Sequence, residues 1–366
     1  MKEKLFLFLF LILIGLIIVN SGLANSFLSP YQFIDKGNLY KERQFPPYIK
    51  GIYITSWTAG SSQKMAHILD LVKQTELNAL VIDIKEIDGT IAFDTESPLI
   101  NELGTERILI PNLKEIIRKF HQENVYVIAR IAVFKDNNLS HLKPEWALKN
   151  KQGRVWQDYN GKTWLDPATK EVWDYHIELA KEAIKIGFDE INFDYIRFPS
   201  DGDISQIVYP IWDGEETKAD VIKEFFQYLD KELRPFNVFL SVDLFGLTMI
   251  REDDMNIGQI LENTIPYFDF ICPMVYPSHY PPGFEGYHNP ASFPYEIIKM
   301  NLLEGEERIG DAEAKLRPWL QDFNLGAIYN KKMIELEKQA VYDSDSFGWL
   351  LWNPSSRYTE EALESR

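Results

Sequence analysis

Carboxylates stand near the ends of apolar, β-branched runs in this sequence, where several of them could reach one cleft. The run Glu190-Ile-Asn-Phe-Asp-Tyr-Ile-Arg-Phe-Pro199 carries Asp194 and, three residues on, Arg197. A guanidinium beside Asp194 would favour its charged form. An ionised carboxylate there can act as a nucleophile or stabilise an oxocarbenium ion; a structural Asp–Arg pair closing the strand end fits the spacing equally well. Asp243, in Ser241-Val-Asp-Leu-Phe-Gly246, is a second carboxylate in a similar setting. Glycoside hydrolysis generally needs two, about 5–5.5 Å apart in retaining enzymes and farther apart in inverting ones. Asp83 ends another run together with Lys85, Glu86 and Asp88 and rivals Asp243 for the second role, although a solvated Asp–Lys pair also explains that cluster. Arg130 would orient or neutralise a carboxylate. Tyr276 and His279 could hydrogen-bond sugar hydroxyls, and Gln321, Trp352, Asn353 and Trp57 could line a sugar subsite. Each tryptophan taken singly fits core packing better.

Other chemistries lack their residues. The sequence has no phosphate-binding G-x-x-x-x-G-K-[ST] loop, no H-E-x-x-H zinc pair and no G-x-S-x-G nucleophile elbow. Its one cysteine, Cys272, cannot form an intrachain disulfide, and its six histidines show no metal-ligand spacing. No cofactor is expected, though Asp and Glu alone could hold Mg²⁺ or Ca²⁺.

These groups need elements to hold them. Apolar runs cover residues 51–57, 79–85, 125–134, 190–198, 238–246, 268–276, 316–323 and 348–353. Stretches of helical periodicity lie between them, as at 63–75, 112–122, 170–186, 216–233, 294–307 and 330–341. This alternation predicts parallel strands joined by helices, and eight such units predict a closed (β/α)8 barrel. The rival is a doubly wound open sheet, but no G-x-G-x-x-G turn follows the first strand. Helix-to-strand links look short (123–124, 187–189, 235–237), whereas strand-to-helix links are extended (86–111, 135–169, 200–215). In a barrel the long links gather at the C-terminal face, where enzymes of this architecture place their sites. Period-two alternation points Val81, Asp83 and Lys85 inward, together with Glu190, Asn192, Asp194, Phe239, Ser241 and Asp243. Buried carboxylates are costly unless paired or open to a wet cleft, so their recurrence near strand ends predicts a shared cleft.

At the N-terminus, Lys2 and Lys4 precede an apolar run over residues 5–19, and Gly22 and Ala24 form a small-x-small pattern before Asn25. That order predicts a secretory signal peptide over 1–24. Left uncleaved it would tether the chain to a membrane, although the run is shorter than the ~20 residues of a comfortable span. Residues 25–48 read as a linker and 49–366 as the barrel. The net charge of −17 repels phosphate backbones and anionic lipid, so nucleic acid is not an expected partner.

Taken in order, several motifs resemble a bacterial family of glycoside hydrolase-like proteins, known as a domain of unknown function with a predicted TIM barrel. They are Lys50-Gly-Ile-Tyr-Ile-Thr-Ser-Trp57, Ala79-Leu-Val-Ile-Asp-Ile-Lys85, Val127-Ile-Ala-Arg-Ile131 and Phe188-Asp-Glu-Ile-Asn-Phe-Asp-Tyr-Ile-Arg-Phe-Pro-Ser-Asp201. Further along come Ser241-Val-Asp-Leu-Phe-Gly246, Pro273-Met-Val-Tyr-Pro-Ser-His-Tyr280, Arg317-Pro-Trp-Leu-Gln-Asp-Phe323 and Gly348-Trp-Leu-Leu-Trp-Asn353. The resemblance implies a hydrolase-like barrel with Asp194 at the fourth-strand position where related barrels carry their nucleophile. The expected function is hydrolysis of an extracytoplasmic polysaccharide or oligosaccharide by Asp194 and Asp243, with Trp57, Asp83, Lys85, Arg130, Arg197, Tyr276, His279, Gln321 and Trp352 binding substrate. The alternatives are a non-catalytic carbohydrate-binding barrel of the cell envelope and, third, a structural envelope protein that docks a partner.

Overall fold

A computed structural model describes Pro46 and residues 48–366. The expected signal peptide and nearly all of the expected linker lie outside the described residues. Eight parallel strands form the barrel: β1 (Ile49–Ile54), β2 (Ala79–Lys85), β3 (Tyr126–Ala132), β4 (Glu190–Asp194), β5 (Phe239–Phe245), β6 (Phe270–Met274), β7 (Trp319–Gln321) and β8 (Gly348–Trp352). Neighbours pair in sequence order, β8 returns to β1, and Trp319 of β7 pairs with Met274 of β6. The sheet is therefore closed, as the alternation of apolar runs predicts. The principal outer helices are α1 (Ser62–Gln74), α2 (Leu113–Gln122), α3 (Lys170–Ile186), α4 (Lys218–Leu233), α5 (Pro294–Ile309) and α6 (Lys331–Tyr342). Among the described residues no helix is long and apolar enough to cross a membrane.

Two cores follow from the two faces of the strands. Leu80, Ile82, Ile84, Ile191, Phe193, Leu240 and Val242 pack outward with helix residues such as Ile117, Phe120, Phe225 and Phe226. Ile49, Ala79, Val81, Ile128, Phe270, Cys272, Trp319 and Leu350 form a separate cluster inside the barrel. Within it lies a sealed ion pair: Arg317 donates through Nη1 to Glu190 Oε2 at 3.0 Å and through Nη2 to Glu190 Oε1, beneath no exposed surface at either residue. The Phe270 ring lies 4.3 Å from the guanidinium carbon. A buried charge needs its partner, and here the match is one to one.

Local chemistry sets where strands stop. Thr55 caps a four-residue helix, Ser56–Ala59, by accepting from Thr58 N, so β1 ends before Trp57. Tyr195 adopts φ +54°, a turn that few bulky residues make, and ends β4 directly after Asp194. The seventh run breaks in two: Lys315–Leu316 pairs with β6, and β7 starts only after Pro318, which lacks a donor. On the other face the turns are tight, with Asn124, Gly187 and Asn237 all at positive φ. The long loop after β3 is tied to the one after β4, because Asp166 accepts from Ile211 N (2.8 Å) and Trp212 N (2.9 Å).

Candidate active site

At the C-terminal end of the barrel one guanidinium meets three carboxylates. Arg130 is inward on β3, in register with Asp83 on β2 and Asn192 on β4. Asp194 stands one inward position beyond Asn192, and Asp243 does the same beyond Ser241 on β5, the strand paired with β4. Arg130 Nη1 donates to Asp83 Oδ1 at 2.8 Å and Nη2 donates to Asp194 Oδ2. Its Nε lies 3.8 Å from Asp243 Oδ2 and makes no hydrogen bond. All four residues are at most 5% exposed.

Each carboxylate has further donors. Tyr53 donates to Asp83 Oδ2 at 2.8 Å. Asp194 Oδ1 accepts from the N–H of Tyr195 at 2.5 Å, a contact created by the turn there. Asp243 Oδ1 accepts from Trp319 Nε1 at 2.7 Å and from Asn192 Nδ2 at 2.9 Å. Burial works against the charge of Arg130, but Asp83 and Asp194 outweigh it and hold the guanidinium firmly protonated. One positive charge does not balance three negative ones. Burial, with the charge of Asp194 nearby, pushes Asp243 up to about 8. Burial likewise pushes Asp83 up to about 7, against the pull of Arg130. Burial thus favours the protonated forms of Asp243 and Asp83, and a carboxyl group that keeps its proton near neutral pH can serve acid–base chemistry on a glycosidic bond.

Above the cluster opens a cavity of about 530 Å³ whose lining includes Arg130, Asp194, Asp243, Arg197, Tyr276 and Trp352. Trp352 stacks on Tyr53 with ring centroids 3.9 Å apart, and the Arg130 guanidinium carbon lies 5.0 Å from the Trp352 ring. His279 also lines the cavity, and burial lowers its pKa, favouring a neutral imidazole. Gly246 closes one wall; a Cβ there would stand 2.6 Å from Met274 O, so no side chain fits.

This geometry can be set beside known proteins. The family model described as "Putative glycosyl hydrolase domain" matches residues 51–358. The chain belongs to this family. Glycoside hydrolysis is accordingly its enzyme class. No curated protein matches the sequence. Among solved structures, a hypothetical protein from Ruminiclostridium thermocellum is 41% identical, with 52% of this chain and 96% of that one covered and a TM-score of 0.49. The glycoside hydrolase domain of PgaB (BpsB) from Bordetella bronchiseptica is 11% identical over 85% of this chain and 95% of that one, with a TM-score of 0.61. Alpha-L-fucosidase isoenzyme 2 from Paenibacillus thiaminolyticus is 13% identical over 86% of this chain and 48% of that one, with a TM-score of 0.56. At 11% and 13% identity, the last two likenesses speak to the barrel fold alone.

Within this family member, the expected site residues divide into two groups. Asp194, Asp243, Arg130, Arg197, Tyr276, His279 and Trp352 share the cavity. Asp83 lies behind Arg130 and supports it without lining the cavity. Four expectations are corrected. Trp57 is on the short helix after β1, 57% exposed, with the Arg107 guanidinium carbon 4.9 Å from its ring. Lys85 is turned away by a register irregularity between Asp83 and Lys85, and it is fully buried against Asp136 Oδ2 and Ala132 O, both at 2.7 Å. Gln321 stays outside the cavity, where its Oε1 accepts from Ser278 N at 3.2 Å and Ser278 Oγ at 2.8 Å and so braces the turn that carries His279. Asn353 also lies outside it, donating to Asp322 O at 2.5 Å.

A fifth correction concerns pairing. Arg197 does not bond Asp194; that task falls to Arg130, because the turn at Tyr195 swings Arg197 off the strand. Tyr53, Tyr195 and Phe245 escaped the sequence reading. Tyr53 was within reach, since period-two alternation on β1 points it inward; the conformation of Tyr195 has no signature in its residue type. Among the described residues no group of three or more His, Cys, Asp or Glu is arranged to hold a metal ion. The centre of the carboxylate cluster is filled by the Arg130 guanidinium.

Proposed function

We propose that the chain is an extracytoplasmic glycoside hydrolase acting on a polysaccharide, with Asp194 as nucleophile and Asp243 as general acid/base. One observation carries this reading: a single guanidinium shared among three carboxylates at a cavity floor, which leaves Asp243 protonated at neutral pH. Asp243 donates its proton to the glycosidic oxygen as the bond to the anomeric carbon breaks. Asp194, fixed by Arg130 and the Tyr195 N–H, attacks that carbon from the opposite side. The Asp243 carboxylate then takes a proton from the water that releases the sugar. The adjacency of β4 and β5, with both carboxylates about one guanidinium, favours the closely spaced pair of a retaining enzyme. Tyr276 and His279 contact sugar hydroxyls, and Trp352 offers a ring face.

The export reading rests on the order of charged, apolar and small residues in positions 1–24. N-terminal sequencing of protein recovered outside the cytoplasm tests it, with Asn25 as the expected new terminus.

The activity is tested by incubating the protein with a panel of polysaccharides and oligosaccharides and reading new reducing ends by mass spectrometry. Cleavage by the parent with a loss on the order of 10³-fold or more in Asp194→Asn is the expected result. If the parent and Asp194→Asn bind a glycan equally and neither cleaves it, the barrel is a carbohydrate-binding protein without catalysis.

A further inference from the structure

Three buried arginines reach the inside of this barrel or its cavity, and only one lacks a bonded carboxylate. Arg317 is bonded to Glu190, and Arg130 to Asp83 and Asp194, in each case through the Nη atoms. Arg197 is 5% exposed, yet its hydrogen bonds go elsewhere: Nη1 donates to Phe198 O and to Ser200 Oγ, both at 3.1 Å. Among the described residues, Nε and Nη2 make no hydrogen bond. The one carboxylate paired with Arg197 is Asp201, 3.9 Å from Nη2 and itself 53% exposed, where water screens it. Burial lowers the pKa of Arg197, and no bonded carboxylate reverses this, whereas the pKa of Arg130 and Arg317 is raised.

The unused edge is well placed. The guanidinium carbon lies 4.8 Å from the Trp164 ring and 4.6 Å from the Phe245 ring, so two aromatic faces hold its plane. Arg197 lines the same cavity as Asp194 and Asp243. Its Nε and Nη2 are not sealed from solvent, unlike the Nε atoms of Arg130 and Arg317. Two parallel N–H groups in a rigid fork match the two oxygens of a carboxylate, and a neutral hydroxyl would leave the charge unmet.

We infer that the Nε–Nη2 edge of Arg197 is a subsite for a carboxylate on the substrate, so that the glycan cleaved contains a uronic acid or another carboxyl-bearing sugar. This rests on the glycosidase reading above and deepens it. A singly charged, planar group suits the site better than a phosphate, because Asp194 and Asp201 both lie near enough to repel a second negative charge.

The test is direct binding to the full chain, by calorimetry, of D-glucuronate and D-galacturonate against D-glucose, D-galactose and glucose 6-phosphate. The expected result is a preference of about tenfold or more for a uronate over its neutral counterpart, weakening as salt is raised. Arg197→Gln should remove that preference, weakening uronate binding about tenfold more than it weakens neutral-sugar binding. Asp201, at the cavity rim, has an exposed side chain, so Asp201→Asn puts folding at no risk; it should tighten uronate binding about two- to threefold by removing a repulsive charge, with a smaller effect on glucose binding. Equal binding of uronate and neutral sugar by the parent, or a uronate preference that survives Arg197→Gln, would overturn the inference. So would tighter binding of the sugar phosphate than of the uronate. Because the readout is binding, it is independent of cleavage: hydrolysis of neutral glycans without uronate preference would remove this subsite and leave the glycosidase reading standing.

Discussion

Two arginine–carboxylate centres lie within one barrel, and they are built to opposite ends. Midway along the barrel Arg317 faces Glu190 alone, both fully buried, with two hydrogen bonds between them. At the C-terminal end Arg130 faces Asp83, Asp194 and Asp243 below an open cavity. The strands, burial and residue types are alike; the charge balance is not. A balanced pair has nothing left to give and serves the scaffold. An unbalanced one stores protons on carboxyl groups, with Asp243 up to about 8 and Asp83 up to about 7. Stoichiometry of charge, more than burial, separates the structural centre from the chemical one.

Substitutions can break the comparison from either side. The largest stability effect belongs to the balanced centre: Arg317→Met strands a buried Glu190 and should cost about 3–5 kcal/mol in chemical denaturation. The double variant Glu190→Gln/Arg317→Met should recover much of that loss, since no unpaired charge remains. In the unbalanced centre, Asp243→Asn should lower turnover by roughly 10²–10⁴-fold while leaving the midpoint of unfolding near that of the parent. Arg130→Met should abolish turnover yet destabilise less than Arg317→Met at pH 6, by about 1–3 kcal/mol, because two of its three carboxylates already hold protons. Tyr53→Phe removes one hydrogen bond to Asp83 and should cost about 1 kcal/mol, with a minor effect on rate.

The pH dependence follows with a definite sign. In the proposed mechanism Asp243 acts with its proton on, so kcat/KM should fall as pH rises through about 8. Stability moves the same way. Asp243 and Asp83 bind protons more tightly in the folded chain than an ordinary aspartate does when unfolded, near pH ~3.9. Their contribution is therefore full below that value and is lost as pH rises through about 7 for Asp83 and about 8 for Asp243. Thermal unfolding followed from pH 5 to ~8.5 should show a Tm that declines with pH, and declines less in Asp243→Asn.

The sequence carried the barrel well because each strand is an apolar run between helical stretches, a pattern that local composition records. Period-two alternation also placed Asp83, Asp194 and Asp243 on inner faces, which is why residues as far apart as 83 and 243 could be expected in one cleft. What was not legible depends on backbone irregularity. The Thr55 cap took Trp57 off the first strand, the irregularity after Asp83 turned Lys85 away, and the turn at Tyr195 gave Asp194 to Arg130 in place of Arg197. None of these is encoded in residue type alone, since each is decided by what the neighbouring strand presents. The sealed Glu190–Arg317 pair was half visible: the inward direction of Glu190 follows from alternation, but its partner lies 127 positions away across the barrel.

The most direct test of charge imbalance is the titration of Asp243 itself. Carbon-13 NMR of the protein labelled at aspartate carboxyl groups, with the resonance assigned by its absence in Asp243→Asn, reads that proton without any substrate. The expected result is titration well above the ordinary aspartate range, toward about 8, with a fall in Asp194→Asn as the neighbouring charge disappears. Titration of Asp243 near ~4, unchanged by Asp194→Asn, would contradict the assignment of a protonated acid beside a charged carboxylate.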